Sequence, residues 1–502
     1  MQDRDVSRRW TRKPLFSVIT PVFDTDPGYL LECVLSVLAQ SYERWELCLA
    51  DDGSTRMETL EVLDWAKKRD RRIRVCTLGS NQGICAASNV AIKRAKGEFA
   101  AFLDHDDRLA PEALFCLARA VRNDPEVNVW YTDRDMISAR NLKFMHLLKP
   151  SWSPETILSG NYCFHLMAYR LSFLQSLGGL RPDFEGSQDY DLILRAAEHT
   201  EMIGHLPRVL YHWRQAERSL ALDDTSKEYT FSAGLQAVRR ALARRNIQAE
   251  ASEDPHLWRG HYRIRFLENQ VGEVQRSRIS MHQQPDAWVR EMLHAVFKAQ
   301  SDNVHLAVVA QELEGPEESF QELTAWFAVS GVKLATGRVM DRASRNVHAG
   351  LVLCYDGTLL EVYRGVEESH AGYMAATAIV RNVTVPHPWC FALHRDLLEA
   401  FYQSLSDYCG PWAVPDLALK ARQAGHRCVY NPFARFVCAH NPPELGPSEP
   451  ELELLRSRWK QTLLQGDPCY NPGLTQVRRD MSLMDAAEET QWQEIISRIQ
   501  GG

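Results

Sequence analysis

The sequence predicts an α/β protein with a Rossmann-like, mostly parallel sheet and flanking helices, followed by a second α/β domain. From residue 16 onward, short apolar runs typical of strands alternate with segments whose apolar residues recur at helical spacing. Repeated β-α units of this kind favour right-handed crossovers and a parallel sheet. The length of 502 residues and the hydrophobic content of 45% are enough for two or three separate cores.

The alternation is clearest between residues 16 and 124. Its strand-like runs are FSVITPVF, WELCLADDGS, IRVCTLGSNQG and FAAFLDHDD. Its helical segments are PGYLLECVLSVLAQ, METLEVLDWAKKR, ICAASNVAIKRAKG and PEALFCLARAVRND. We expect these segments to form one half of the first sheet and the helices that cover it.

Bulk composition excludes several classes of protein. The formal net charge of -7 argues against broad nucleic-acid binding, so no nucleic-acid partner is expected. No run approaches the roughly 18 apolar residues of a membrane span, and the start lacks the apolar core of a signal peptide, which predicts a cytoplasmic protein. The 12 cysteines, among them Cys33, Cys48, Cys116 and Cys390, are predicted to be buried free thiols.

Acidic residues follow the strands at the points where these strands end. Open α/β sheets bind ligands beyond the carboxyl ends of their strands, so the acids are placed for binding. Aspartate is also a good turn and N-cap residue, which explains one such acid more readily than the whole set. The set comprises Asp24, Asp51, Asp52, Asp104, Asp106 and Asp107.

Two common nucleotide-binding signatures are missing from the sequence. No G-x-G-x-x-G follows the first strand and no G-x-x-x-x-G-K-[ST] occurs, which weakens the dehydrogenase and P-loop interpretations. A nucleotide diphosphate held through Mg²⁺ or Mn²⁺ fits better, because such cations complete a shell of few carboxylates with diphosphate oxygens.

Several motifs, in this order, resemble glycosyltransferase family 2, whose members have the GT-A fold and use nucleotide-sugar donors. They run from SVITPVFDTDPGYLLECVLSVLAQSYERWELCLADDGST through SNQGICAASNVAIKRAKGEFAAFLDHDD and GNYCFHLMAYR to GLRPDFEGSQDYDLILRAAE and VLYHWR. Together they cover residues 16 to about 220. The resemblance implies a GT-A domain and a metal-dependent, inverting glycosyltransferase.

The resemblance also implies roles for individual residues. DHDD matches the metal-binding D-x-D motif, with Asp106 and Asp107 nearest the cation, Mn²⁺ or Mg²⁺, and Asp104 toward the sugar or ribose. Which of the three binds the metal directly is left open. His212 in YHWR matches a histidine that approaches the metal or diphosphate, although an ordinary strand histidine is the alternative. The implied donor-binding set is Pro21, Phe23, Asp24, Asp51, Asp52, Asn81, Gly83, Asn89 and Asp104.

Asp189 in GSQDYDL matches the acid that such enzymes use as catalytic base. Inverting transfer needs a carboxylate that removes the proton of the acceptor hydroxyl during attack on the anomeric carbon. A metal at the opposite end would stabilise the charge of the departing nucleoside diphosphate. The alternative for Asp189 is a simple cap of the helix that follows it.

The second half resembles the back part of another family-2 module, as found in bacterial tandem transferases of surface polysaccharides. Its reactive positions differ: LAVVAQELEG places Ala310, Gln311 and Glu312 where a strand ending in Asn-Asn-Asp is expected, so metal binding is doubtful. WAVPDLALKARQAG keeps Asp416 but aligns Val414 with the base, and a valine cannot accept a proton.

Cys438 and Ala439 of this half stand where paired histidines are expected, with His440 displaced. Residues 262–305 also lack a PVF-like strand with an acidic turn. A degenerate, non-catalytic GT-A-like domain is therefore predicted; the alternative is an active module that has diverged beyond recognition.

These patterns divide the chain into five parts. They are a basic N-terminal tail (1–15), a catalytic GT-A domain (16–250), a linker (251–261), the degenerate domain (262–480) and a C-terminal amphipathic helix (481–502). The tail is interpreted as solvated, with contact to anionic lipid as the alternative. The last helix, with Trp492, Ile495, Ile496 and Ile499, is predicted to pack on the protein or on a second subunit.

The leading hypothesis is a glycosyltransferase that builds a bacterial surface glycan (O-antigen, capsule or exopolysaccharide) on a saccharide or lipid-linked acceptor. Its donor would be a nucleotide sugar, with UDP or dTDP weakly favoured, and peripheral association with the inner membrane face, a homodimer or a biosynthetic complex would be compatible with it. One alternative transfers sugar to a protein such as flagellin. Another is a non-catalytic glycan-binding or scaffold protein.

Overall fold

The computed structural model describes residues 2–215, 224–267, 270–408, 410–439, 446 and 448–501. The chain forms two compact units. The first unit consists of Met1–Trp152 and Asn161–Arg245, and the second of Ser153–Gly160 and Asn246–Gly502. The second unit thus begins close to the predicted linker, but it also takes eight residues from the middle of the predicted first domain.

A nine-stranded sheet forms the centre of the first unit, in the order β3-β2-β1-β4-β8-β6-β9-β5, with β7 paired to β6. The alternation of the first four strands, which the sequence predicts, is present in the structure. The strands are β1 (Phe16–Val22), β2 (Trp45–Asp51), β3 (Ile73–Thr77), β4 (Phe99–Phe102), β5 (Arg108–Leu109), β6 (Val129–Ile137), β7 (Lys143–Leu147), β8 (Met167–Arg170) and β9 (Ile203–Arg214).

The α/β class is confirmed, whereas the expected mostly parallel sheet is mixed. β1, β2, β3 and β4 pair in parallel, as does β6 with β9. β8 runs antiparallel to both β4 and β6, and β5 and β7 are also antiparallel to their partners. The prediction rested on the helix-connected strands β1 to β4, and β6 reaches β8 through the hairpin strand β7 instead of a single crossover helix.

Helices cover both faces of this sheet. The apolar side chains of α2 and α5 pack with β1, β2 and β4 in one continuous core, and α4 packs against β1 and β2. The helices of the first unit are α1 (Gln2–Arg8), α2 (Pro27–Leu38), α3 (Met57–Arg69), α4 (Ile84–Arg94), α5 (Ala113–Asn123), α7 (Leu171–Ser176), α8 (Gln188–His199) and α9 (Asp224–Arg244).

The N-terminal segment, predicted to be a solvated tail, is packed on the first unit. Trp10 stacks on Phe115 with ring centroids 5.2 Å apart, and the Arg122 guanidinium lies 4.3 Å from the centroid of the Trp10 ring. A single tryptophan provides a large apolar surface, which explains how a segment rich in arginine is held on the domain.

The main sheet of the second unit has the order β12-β13-β20-β15-β21-β14. β16 pairs with β15 and β19 with β21, and β10-β11 and β17-β18 form separate two-stranded sheets. The strands are β10 (Ala249–Glu253), β11 (Tyr262–Phe266), β12 (Val274–Ile279), β13 (His305–Ala310), β14 (Leu313–Glu314), β15 (Val332–Asp341), β16 (Asn346–His348), β17 (Leu351–Leu353), β18 (Leu359–Glu361), β19 (Arg381–Val383), β20 (Cys390–Leu393) and β21 (Arg427–Cys438).

This sheet repeats part of the first one. The strands β12-β13-β20-β15-β21-β14 have the same order and the same relative directions as β1-β4-β8-β6-β9-β5. Within the described residues, the sheet ends at β12, with no strand in the places of β2 and β3. The helices of the second unit are α6 (Thr156–Ser159), α10 (Pro285–Asp302), α11 (Glu317–Ala325), α12 (Leu398–Asp407), α13 (Ala413–Gln423), α14 (Glu449–Gln465) and α15 (Ala486–Gly501).

The C-terminal helix packs on its own unit. Trp492 is buried against Tyr355, with ring centroids 5.7 Å apart, and Ile495 and Ile496 join the same cluster. Helix α15 is therefore part of the second unit, although the sequence pattern set residues 481–502 apart. Among the cysteines that the structure describes, 11 are free and all but Cys469 are buried. No helix in the described ranges is both long enough and apolar enough to cross a membrane.

Candidate functional site

The acidic turn between β4 and β5 is fastened to β9. Asp107 is fully buried, and its carboxylate accepts hydrogen bonds from the backbone N–H of Arg214 (2.7 Å) and from the hydroxyl of Tyr211 (2.5 Å). Burial, with the charges of Asp106 and Asp104, raises the pKa of Asp107 well above its ordinary value. Both Asp107 oxygens thus have donors from the protein itself, which suits an anchor of the turn better than an exposed metal ligand.

Arg214 supplies positive charge to this corner. Its buried guanidinium donates from Nε to the carbonyl of Asp106 (2.7 Å) and from Nη2 to Glu32 (2.6 Å), and it lies 4.4 Å from the centroid of the Tyr29 ring. In the YHWR motif, only the histidine was expected to have a role in the site. The sequence feature that indicates a role for Arg214 is its position at the end of a strand. A buried arginine needs acceptors on several sides, and neighbouring elements can provide them there.

Asp104 is the acid of the turn that faces outward, with 40% of its side chain exposed. Desolvation by the surrounding protein, together with the charges of Asp106 and Asp189, raises its pKa to about 7. Asp189 is connected to the same turn through residues 161–165, because the Asn161 amide donates to Asp189 at 3.0 Å and Nε2 of His165 lies 3.7 Å from Asp104.

His165 is a site residue that sequence reasoning missed. Its Nε2 lies 3.7 Å from Oδ2 of Asp104, and its ring stacks on Tyr211 with centroids 4.7 Å apart and an angle of 8° between the planes. Burial, with the charges of Arg134 and Lys149, holds the pKa of His165 well below its ordinary value, so the imidazole is neutral and can coordinate a cation. The sequence feature that could have indicated this residue is a histidine in the otherwise apolar run before β8.

Asp104, Asp107 and His165 form a group that could hold a metal ion, with one ligand atom from each lying within 4.8 Å of the others. Among the described residues, this group includes neither Asp106 nor His212. His212 is buried, and its Nδ1 donates to Asp135 at 2.6 Å. A carboxylate on one nitrogen fixes the tautomer and leaves Nε2 for another partner.

Most of the predicted donor-binding residues lie at or just beyond the carboxyl ends of β1, β2 and β3, whereas Asn89 lies within α4 and Asp104 follows β4. Several of them have structural partners. Asp24 accepts from the backbone N–H groups of Thr55 and Arg56, and these bonds keep the pKa of Asp24 low. Asp52 accepts from the N–H groups of Gln82 and Gly83, at 2.9 and 2.8 Å. These carboxylates shape the loops around the pocket in addition to any contact with a donor.

The remaining members of this set divide into loop-forming and exposed residues. Asp51 accepts from the N–H of Ser54, Asn81 from that of Gly83, and Asn89 exchanges two hydrogen bonds with the backbone of Leu180. Phe23 is exposed, whereas the Pro21 carbonyl accepts a hydrogen bond from Nδ1 of His105 at 3.0 Å. Phe23 therefore offers a free aromatic surface beside the end of β1.

Gly83 occupies a position that other residues fit poorly. Its φ is 91°, and a Cβ there would lie 2.3 Å from Oε1 of Glu185. The same Glu185 oxygen accepts from the N–H of Ile84 at 2.7 Å, at the start of α4. The glycine thus allows an acid from a distant part of the chain to cap this helix.

Asp189 lies in the first turn of α8. Its Oδ2 accepts from the Asn161 amide at 3.0 Å and its Oδ1 from the N–H of Tyr190 at 2.8 Å, which fixes the direction of the carboxylate. Burial raises the pKa of Asp189, which makes it a stronger base than an ordinary exposed aspartate.

The equivalent corner of the second unit has a different composition. Five residues (103–107) connect β4 to β5, but only Gln311 and Glu312 connect β13 to β14. The strand registers place Cys438 opposite Leu313 as they place His212 opposite Arg108. The described part of this unit therefore has a shortened turn without aspartates, and a cysteine in the place of His212.

Helix α13 of the second unit corresponds to α8. Asp191 of α8 pairs with Arg195 at 2.8 Å, and Asp416 of α13 pairs with Lys420, also at 2.8 Å. Each aspartate forms an ion pair with the basic side chain four residues later. Asp416 therefore matches Asp191, and Val414 takes the position of Asp189. Asp416 also accepts from Nε1 of Trp459 at 2.9 Å and serves the packing of its unit.

Comparison with known proteins finds a family model that matches part of the chain. Residues 17–175 match the model for "Glycosyl transferase family 2", a range that ends before α8. The chain is 28% identical to uncharacterized protein y4gI of Sinorhizobium fredii over 95% of this chain and 60% of that protein. It is 36% identical to O-antigen biosynthesis protein RfbC of Myxococcus xanthus over 51% of this chain and 20% of that protein.

The chain thus spans less than two thirds of the length of either relative. Among solved structures, residues 1–349 of Staphylococcus aureus TarS in complex with UDP-GlcNAc match 45% of this chain and 66% of that chain, with 23% identity and a TM-score of 0.38. The match to the family model confirms the resemblance that the motifs show, and residues 17–175 of the first unit are similar to glycosyltransferase family 2.

Proposed function

We propose that the chain is an inverting, divalent-cation-dependent glycosyltransferase of bacterial surface polysaccharide synthesis. Its substrates would be a nucleoside diphosphate sugar and a saccharide or lipid-linked acceptor. The observation that carries this proposal is the segment 161–165 of the first unit, where the Asn161 amide donates to Asp189 at 3.0 Å and Nε2 of His165 lies 3.7 Å from Asp104. The similarity of half of the chain to an O-antigen biosynthesis protein supports the polysaccharide pathway.

The acidic turn fits Mn²⁺ or Mg²⁺. Carboxylate oxygens are the preferred ligands of both cations, and Mn²⁺ also accepts an imidazole nitrogen. In this proposal Asp104 and His165 hold the cation. Asp106, which only the D-x-D motif places near the cation, completes the protein ligands, while Asp107 anchors the turn through Tyr211 and Arg214. A bound cation would act as a Lewis acid that stabilises the negative charge of the departing diphosphate.

Asp189 would take the proton of the acceptor hydroxyl. Its oriented carboxylate and raised pKa suit a general base, because the base must hold the proton once the hydroxyl oxygen has attacked. Asp24 and Asp52 would keep the loops that receive the nucleotide in shape, and exposed Phe23 would contact the base.

The second unit would scaffold the enzyme or bind glycan without catalysis. Its main sheet, as far as the structure describes it, has no strands in the places of β2 and β3, which hold the predicted nucleotide pocket of the first unit. Val414 in the place of the base removes the proton acceptor. The other inferences from the sequence, a cytoplasmic location with peripheral membrane contact and a dimer or biosynthetic complex, remain part of this proposal.

The proposal can be tested with purified protein, Mn²⁺ and a panel of UDP, dTDP and GDP sugars. We expect at least one donor to bind in a metal-dependent way and to be hydrolysed slowly without acceptor. Glu312→Ala, in the turn of the second unit, is the matched control for Asp106→Ala and should retain this activity. If the wild type and Asp106→Ala bind every donor equally weakly, the proposal of an enzyme is refuted and a scaffold protein is favoured.

The raised pKa of Asp104 predicts that cation binding depends on pH. Below pH 7 this carboxyl is mostly protonated, and a cation must displace the proton, so the affinity for Mn²⁺ should fall as the pH decreases from about 8 to 6. Calorimetry at pH 6.5 in buffers of different ionisation enthalpy should show proton release on Mn²⁺ binding. Asp104→Asn should remove most of this release, and an unchanged proton count in that variant would exclude Asp104 as its source.

A further inference from the structure

One short segment contacts both halves of the candidate site. At its start, the Asn161 amide donates to Asp189 at 3.0 Å, and at its end Nε2 of His165 lies 3.7 Å from Asp104. The position of residues 161–165 therefore sets where the candidate base lies relative to the acidic turn.

This segment is held by the ammonium group of Lys149. The Lys149 side chain is fully buried, and its Nζ donates to three consecutive carbonyls of the segment, those of Cys163 (3.1 Å), Phe164 (2.6 Å) and His165 (2.6 Å). The carbonyl of Thr132 in β6 also lies 2.6 Å from Nζ, so four acceptors share the three N–H groups of the side chain. Lys149 thus joins the segment to a central strand of the sheet.

The backbone of Lys149 is also fixed. Its N–H donates to Oδ1 of Asp133 at 2.8 Å, and the same oxygen accepts from Nε2 of His205 at 2.8 Å. The ammonium therefore extends from a rigid point and not from a loose loop. Burying an ammonium is costly, and burial lowers the pKa of Lys149 to about 7. The carbonyls around Nζ offset part of this cost.

We propose that Lys149 is a positioning residue of the transferase, which holds residues 161–165 so that His165 faces Asp104 and Asn161 orients Asp189. This inference rests on the proposed function. An apolar side chain could fill the same space, but it would leave four carbonyls without their donor. An arginine would keep the charge, yet its planar guanidinium does not reproduce the compact ammonium.

The direct test is Lys149→Met together with Lys149→Arg. We expect Lys149→Met to weaken Mn²⁺ binding, measured by electron paramagnetic resonance in the presence of UDP, and to lower kcat, each by about tenfold or more. Lys149→Arg should recover part of both losses. The ring stacking of His165 on Tyr211 gives a readout without metal, because it shifts the His165 Cε1–H resonance upfield, and Lys149→Met should reduce this shift.

Arg170→Met is the control for a purely structural role. Arg170 also bonds backbone carbonyls, those of Pro125 and Val127, but it lies at the far end of β8 and pairs with Glu98. The Arg170→Met variant should have a lower unfolding midpoint, while its Mn²⁺ affinity and its His165 resonance stay as in the wild type.

The proposal is overturned if Lys149→Arg, or a folded Lys149→Met, keeps the wild-type Mn²⁺ affinity, kcat and His165 resonance. If Lys149→Met does not fold, Lys149→Arg decides by the same three measurements. If the wild type itself neither binds Mn²⁺ nor transfers sugar, the proposed function fails. In that case the His165 resonance alone tests the positioning of the segment: loss of its upfield shift in the Lys149 variants supports it, and an unchanged shift overturns it.

Discussion

Asp189→Asn is expected to lower the rate of sugar transfer by about a thousandfold while donor binding stays intact. Asparagine has almost the same shape as aspartate, but its amide cannot take a proton from the acceptor hydroxyl. Asparagine retains one acceptor oxygen, so it can keep one of the two hydrogen bonds that orient the Asp189 carboxylate. The rate is measured by single-turnover transfer, and donor binding by calorimetry.

Asp183→Asn is a suitable control for this experiment. Asp183 lies six residues earlier in the chain, and 70% of its side chain is exposed beside Arg240. It should transfer sugar at the wild-type rate. Turnover by Asp189→Asn within a few fold of that rate would remove Asp189 as the base and leave it the role of a helix cap.

The second large effect is a contrast between neighbouring aspartates. Asp107→Ala should destabilise the first unit by about 3 kcal/mol, because it leaves the buried Tyr211 hydroxyl and the Arg214 N–H without their acceptor. For a domain of this size, that loss lowers the unfolding midpoint by about 10 °C. Asp106→Ala should keep the midpoint within about 2 °C and lose the cation-dependent activity, since its carboxylate is not the anchor.

Thermal unfolding and Mn²⁺ binding, measured on both variants, distinguish these roles. Asp107→Asn serves as the isosteric control, because its amide retains one acceptor oxygen and should recover part of the lost stability. Wild-type stability in Asp107→Ala, together with loss of Mn²⁺ binding, would contradict the anchor and return Asp107 to the role of a direct ligand.

Local pattern was enough to predict the first half of the first sheet. The segments from β1 to α5 alternate short apolar runs with helical spacing, and β1 and β2 are buried at every position, as expected for strands covered on both faces. The reversal of direction at β8 could not be read in the same way. Its four residues carry no directional signal, and strand direction depends on the connections through β7 and on pairing with distant strands.

The candidate site was predictable where a motif contains the acid itself. The motifs contain Asp104, Asp106, Asp107 and Asp189, and the structure connects Asp104 to Asp189 through residues 161–165. The roles of His165 and Arg214 depend on contacts across strands that are far apart in sequence. Such contacts leave no periodic pattern in the sequence. The motifs GNYCFHLMAYR and YHWR contain these residues but do not indicate their roles.

The excursion of Ser153–Gly160 gives the first unit a discontinuous chain. Glu155 in this excursion binds Arg427 through paired contacts of 2.8 to 3.0 Å, and the Asn382 amide donates to Glu155 at 2.6 Å. Ile157 and Leu158 are buried. A fragment cut after Arg245 would carry an unpaired carboxylate and two exposed aliphatic side chains in its middle. Separate expression of the two halves would therefore require redesign of this crossing, because a single cleavage point does not divide them.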